Sequence, residues 1–257
     1  MASTLLNVSA RNAAFALYQL NQPAVHPYSV IRCVEFLTSN SPAISDVVRS
    51  DPAVALTIFK LCREHNVEPA FDSLDFDSYI NKIPKSRILK TFLSVKTFDI
   101  DNLHSQLPLV WLNNISAARA YAAYLIAEKT DVNQSLAFFA ALFSDIGLFA
   151  LAELYPKSMS RLLAQSSGDN EVLLRLEKEN IGLTHNIISR QLAQKWLLPQ
   201  VVADCGWLYC TPAIHKLTNI ANIDIIITVR QADILVKNIN NSCKSFLPSL
   251  SQKGLDE

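Results

Sequence analysis

The chain has 257 residues, half of them hydrophobic, and its 23 basic residues balance 23 acidic ones. That length buries a substantial core, and the zero net charge lacks the basic excess with which proteins grip a nucleic-acid backbone. Five glycines are too few for the tight turns of β-proteins or for a phosphate-binding loop, so an all-α chain with short connections is expected.

In chain order, a first helix fits residues 4–20 and ends at Gln22-Pro23; no basic start precedes it and Arg11 interrupts its apolar run, so no signal peptide is expected. A second helix fits 28–38, with Val30, Ile31, Val34 and Leu37 on one face. After a break at 39–42, Ile44, Val47 and Val48 mark a short helix. Asp51-Pro52 then starts another, because Asp51 can cap free amides and Pro52 suits a first helical position. Val54, Leu56, Ile58, Phe59 and Leu61 follow on it. The acidic, irregular stretch 66–77 reads as a long exposed loop. Helices at 76–82 and 85–98 meet at Ile83-Pro84, where Lys82, Lys85, Arg87, Lys90 and Lys96 form a solvated basic face. Residues 99–108 read as a break.

A long alanine-rich helix then covers 109–129, with Trp111, Ile115, Ala118, Ala122, Leu125 and Ile126 predicted inward. The apolar run 136–154 is nearly long enough to span a bilayer, but Asp145 and Glu153 interrupt it. A buried core helix over 135–154, and no membrane segment, is the reading. Shorter helices fit 158–164 and 171–179. An amphipathic helix fits 185–196, another follows Leu198-Pro199 to about 208, and a last one fits 223–239 before a polar, frayed tail. The five cysteines are odd in number, scattered and without a Cys-x-x-Cys, which fits reduced thiols in a cytoplasmic chain.

Two segments read together. The first is Ser50-Asp51-Pro52-Ala53-Val54-Ala55-Leu56. The second is Ala140-Ala141-Leu142-Phe143-Ser144-Asp145-Ile146-Gly147, followed by Glu177, Gly182, His185 and then Trp196-Leu197-Leu198-Pro199. Their order and spacing resemble the HDOD family, bacterial signalling domains related to the HD phosphohydrolases. The resemblance implies an all-helical fold: an extension at 1–22, a first bundle at 23–107 packed on a degenerate HD-like bundle at 108–215, and a C-terminal helix and tail at 216–257.

An HD hydrolase holds its divalent metal through a His-Asp doublet, another histidine upstream and an aspartate or histidine downstream, and the metal acidifies a bound water. Here the doublet is Ser144-Asp145, the upstream position is Asn113 or Asn114, and the downstream stretch is Trp207-Leu208-Tyr209-Cys210. Of the ligand types, Asp145 and His185 remain, and two ligands fall short of the three a catalytic site keeps. The expectation is therefore no enzyme, no metal and no cofactor. A vestigial pocket is expected at Asn113, Asn114, Ser144, Asp145 and His185, with Asp145 satisfied by nearby backbone or by His185. Trp111, Trp196 and Trp207 are expected as core anchors.

The resemblance implies a regulatory or scaffolding role through a signalling partner of the receiver, kinase or cyclic-dinucleotide-enzyme type. Two alternatives stay open: a small-molecule, nucleotide or cyclic-dinucleotide sensor that uses the vestigial pocket, and a residual metal-dependent phosphohydrolase. The sequence leaves the oligomeric state open.

Overall fold

The computed structural model describes residues 17, 19, 20, 22–38, 44–69, 71–97, 103–211 and 220–244; the side chains of 103–108 and 240–244 are left aside. The helix expected at 4–20 and the tail beyond 244 lie outside the described residues. Among the described residues all regular structure is helical. One isolated bridge joins Val25 to Thr97.

Four helices come first: α1 Pro27–Thr38, α2 Ile44–Ser50, α3 Pro52–Glu64 and the single turn α4 Asp77–Ile80. The expected start of α3 is built as the sequence predicts. Asp51 has an extended backbone, and its carboxylate accepts from the amides of Ala53 (2.9 Å) and Val54 (3.2 Å). In α1 the buried residues are Ser29 and Cys33, whereas Ile31 is exposed. Of the expected face, Val30 and Leu37 are half-buried against the core, and α1 packs on α2 and α5.

The 66–77 stretch is irregular but not simply exposed. Phe76 is fully buried, and Phe71 stacks 4.7 Å from Phe59 and 5.2 Å from Phe139. Its aromatics pin it into the core, each such pair adding about 0.5–1.5 kcal/mol beyond burial. Phe59 also meets Phe139 at 5.6 Å and Phe143 at 6.0 Å, which joins α3 to the central helix α7. At the other end of α3, the Arg63 guanidinium donates to the carbonyls of Trp196 (2.9 Å) and Leu197 (2.6 Å).

The remaining helices are α5 Lys85–Ser94, α6 Leu103–Glu128, α7 Gln134–Phe143, α8 Ile146–Leu154, α9 Pro156–Ser166, α10 Asn170–Asn180, α11 His185–Lys195, α12 Gln200–Leu208 and α13 Ile223–Lys244. Helix α6 begins inside the expected break at 99–108 and runs through Pro108. Helix α13 likewise continues past Ile239 to Lys244, where a frayed tail is predicted. The apolar segment Gln134–Leu154 has a mean hydropathy of 1.9 and is 89% buried, as befits a core element. It is two helices rather than one, broken at Ser144-Asp145. Helices α6, α11, α12 and α13 pack around this pair.

Helix α6 corrects the expected inward face. Its buried side is Leu112, Ile115, Ser116, Arg119, Ala120 and Ala123, while Trp111, Ala118 and Leu125 face outward. The apolar periodicity of α6 runs almost all round the helix, so periodicity alone could not choose the side. Trp196 is buried as expected of a core anchor, Trp207 is half-buried, and Trp111 is 40% exposed.

Helices α8, α11 and α12 approach one another at two glycines. A Cβ on Gly147 would lie 2.1 Å from the His185 carbonyl oxygen and 2.7 Å from the Ser189 nitrogen, and one on Gly206 would lie 2.8 Å from Ser189 Cβ. The Gly147 amide donates to Ser189 Oγ at 2.9 Å, a bond that depends on this closeness. Gly147→Ala should therefore cost about 3 kcal/mol by overpacking. Gly168→Ala, at φ +86° with open space around it, should cost only about 1–2 kcal/mol for the left-handed backbone. Urea denaturation of the two variants measures the difference, and equal losses would contradict the packing account.

Candidate functional site

The break between α7 and α8 presents Ser144 and Asp145 to the interior. Both are buried. Across from them, α6 delivers Arg119, the one charged residue between Leu109 and Ala127. Arg119 is 2% exposed, and its guanidinium is fully engaged. Nη2 pairs with Asp145 Oδ2 at 2.6 Å, Nη1 donates to Ser144 Oγ at 2.6 Å, and Nε donates to Asp233 Oδ1 of α13 at 3.0 Å. Ser144 Oγ donates in turn to the Ala141 carbonyl at 2.9 Å. The Tyr209 hydroxyl donates to Asp145 Oδ1, and the Tyr209 ring lies 5.1 Å from the guanidinium. Asp233 also holds Lys237 at 2.9 Å, and Lys237 donates to Asn170 Oδ1 at 2.7 Å.

His185 opens α11 beside this network. Its Nδ1 lies 2.8 Å from Glu177 Oε2 of α10, and its backbone amide donates to the same oxygen at 2.8 Å. Both residues are completely buried. Nε2 makes no conventional hydrogen bond, and Cys210 is its polar neighbour. Burial opposes charge on each of these groups, but the neighbours outweigh it. Arg119, His185 and the Tyr209 hydroxyl hold the Asp145 carboxyl below its ordinary range. Asp145, Tyr209 and Asp233 hold Arg119 charged. Glu177 and Cys210 hold the His185 imidazolium well above the usual histidine range. Buried Arg119 and His185, with half-buried Lys237 at the edge, thus face three carboxylates, Asp145, Asp233 and Glu177.

The structure brings Ser144, Asp145 and His185 into this neighbourhood. It places Asn113 and Asn114 elsewhere: the Asn113 amide donates to the Ser50 carbonyl at 3.2 Å, and Asn114 lines an external groove. Asp145 is satisfied by Arg119 and Tyr209, where nearby backbone or His185 is expected. The charge on Arg119 is a stronger partner than either, and Glu177 already holds Nδ1 of His185. Arg119, Tyr209, Asp233 and Lys237 are not found by sequence reasoning. Their signal is a charge inside an apolar stretch, which for Arg119 and Asp233 marks a buried partner rather than an interruption.

The residues present do not fit a divalent metal. Each Asp145 oxygen already accepts a hydrogen bond, and the position facing the carboxylate holds a guanidinium that would repel a cation. Among the described residues no group of three or more histidine, cysteine, aspartate or glutamate side chains is arranged to hold a metal ion.

Residues 87–206 match the HDOD domain family. The HDOD resemblance read from the sequence holds for this stretch of the chain. The HDOD match contains Arg119, Asp145, Glu177 and His185, whereas Tyr209 and Asp233 lie beyond its end. Among solved structures, the MmoQ response regulator of Methylococcus capsulatus is similar over 89% of both chains, with 20% identity and a TM-score of 0.63. A fragment of the same regulator is similar over 90% of this chain and 88% of its own, with 22% identity and a TM-score of 0.59. An HDOD domain protein with unknown function from Geobacter sulfurreducens is similar over 88% of this chain and 76% of its own, with 16% identity and a TM-score of 0.46. No curated protein matches the sequence.

Removing Arg119 would leave the buried Asp145 without its cation and Asp233 with Lys237 alone. Arg119→Ala should cost about 3–5 kcal/mol of folding free energy, read by chemical denaturation; a loss under about 1 kcal/mol would contradict the pairing.

The two shifted groups also act in opposite pH ranges. Folded His185 keeps its proton above pH about 6.5, where the unfolded chain releases it. Its contribution is complete below that pH and is lost as pH rises through the raised folded value. Asp145 contributes fully above pH about 4, and that contribution is lost as pH falls through its lowered folded value. Glu177→Gln should flatten the alkaline decline in melting temperature and leave the acid limb in place. An unchanged alkaline limb in this variant would contradict the assignment.

Proposed function

We propose that the HDOD domain is a non-catalytic regulatory or scaffolding module of bacterial signal transduction, working in the cytoplasm through a protein partner of the receiver, kinase or cyclic-dinucleotide-enzyme type. One observation carries the non-catalytic part. Both oxygens of the doublet's aspartate are engaged by Arg119 and Tyr209, and the guanidinium set against it opposes a metal ion there. A guanidinium supplies the positive charge permanently, because arginine does not release its proton in this range.

The signalling part draws support from the HDOD match and from the likeness to a protein described as a response regulator. A domain that does no chemistry acts by presenting a surface. The nucleotide-sensor reading gains nothing from this site, since Ser144, Asp145, Glu177 and His185 are packed at 1% exposure or less.

Two measurements test the proposal. Titration with manganese, iron and nickel should find no stoichiometric site, and nucleotides and cyclic dinucleotides should survive incubation with each metal. Affinity capture from the native host should recover a receiver, kinase or cyclic-dinucleotide enzyme. Metal-dependent hydrolysis that disappears in Asp145→Asn would overturn the non-catalytic reading.

A further inference from the structure

Within the buried ion-pair cluster, one side-chain polar atom is left without a hydrogen bond among the described residues: Nε2 of His185. Glu177 takes the other ring nitrogen and the backbone amide of the same residue, so the imidazole is held in one orientation. The Asn186 side-chain amide donates to the Trp207 carbonyl at 3.2 Å, which seats the first turn of α11 against the end of α12. Cys210 follows there, and besides Glu177 it is the side chain that acts on the imidazole. A buried, charged N–H without an acceptor is costly. The sulfur of Cys210 is the neighbour that can take that proton's hydrogen bond.

The other described cysteines have a different setting. Cys33, Cys62 and Cys205 are fully buried, and burial pushes Cys33 up to about 12, pushes Cys62 up to about 11 and raises Cys205 as well. Such thiols are inert core hydrophobes. Cys210 keeps 5% exposure and has a cation beside it, the two features that make a thiol reactive. Of the other charged groups close by, Asp145 is already paired with Arg119, so its carboxylate does not offset the imidazolium. Sulfur, imidazole and carboxylate stand in the order of a nucleophile, its proton partner and the group that orients that partner.

We infer that Cys210, His185 and Glu177 form a thiol–imidazole–carboxylate relay that makes Cys210 a specific oxidation site for hydrogen peroxide. The slight exposure of Cys210 admits a small co-reactant and keeps out a bulky one. In the step, the sulfur attacks one peroxide oxygen. A sulfur–oxygen bond forms, the oxygen–oxygen bond breaks, and the leaving hydroxide takes the proton from Nε2 and departs as water. Sulfur is oxidised to a sulfenic acid and peroxide is reduced to water. Each chain reacts once, so this is a modification without turnover and stands apart from the non-catalytic reading. Because the relay joins α10, α11 and the end of α12, the modification alters the partner of a buried charge where these helices meet.

Peroxide labelling of the reduced full chain at neutral pH tests this. Sulfenic acid is trapped with dimedone, and peptide mass spectrometry reads each cysteine separately. Cys210 should be labelled at least tenfold faster than Cys33, Cys62 and Cys205. His185→Gln should slow labelling of Cys210 at least tenfold. Glu177→Gln keeps the imidazole and loses its orienting charge, so it should slow the same labelling at least threefold; it serves where His185→Gln does not fold, as read by circular dichroism. Cys210→Ser should remove the label at this position and melt near the wild type, since its hydroxyl still accepts from Nε2. Wild-type labelling of Cys210 no faster than that of the three buried thiols overturns the inference, and this comparison needs no variant. An unchanged Cys210 rate in folded His185→Gln or Glu177→Gln overturns it too, because exposure alone would then select the thiol.

Discussion

A single buried guanidinium organises the interior of this protein. Arg119 arrives on α6 and contacts the α7–α8 break through Ser144 and Asp145, α13 through Asp233, and the Tyr209 ring at the end of α12. Isolated in a low-dielectric core it would be prohibitively costly, so its presence forces carboxylates to converge on it. That convergence fixes how four segments meet at one point. The adjoining His185–Glu177 pair extends the same balance to α10 and α11. In a catalytic relative of this architecture a metal would be the natural positive centre; here a side chain of the fold itself fills that role.

The consequence for function lies in permanence. A metal centre exchanges its ion and keeps a position for water or substrate. A guanidinium held by two carboxylates exchanges nothing and admits nothing. The buried ion pairs thus serve the architecture of the fold, while α6 and α13 leave a largely apolar strip exposed on its outside.

Much of the fold is legible in the sequence because the signals are local. Asp51-Pro52 names a helix start through a carboxylate that caps nearby amides, and the helices from α7 to α12 follow from periodicity and punctuation. Ser144-Asp145 is legible as the altered doublet, and the break it makes in an apolar run is not, because the residues on either side favour helix equally well. The orientation of α6 is hidden for a related reason: with apolar residues on both sides, the helix gives no contrast from which to choose. The partners of Asp145 are hidden by distance, since Asp233 stands 114 residues from Arg119 and nothing local connects them. His185 and Glu177, eight residues apart, are within reach of motif reasoning.

That separation sets an order of assembly during synthesis. Asp145 leaves the ribosome soon after Arg119, but Asp233 lies 114 residues beyond Arg119. Until Asp233 emerges, the guanidinium has one of its two carboxylates and the apolar α7 and α8 lack helices that cover them, the condition in which nascent chains aggregate or engage chaperones. Closure of the last ion pair therefore waits on α13, and a chain interrupted before that helix leaves the Arg119 Nε without its carboxylate acceptor.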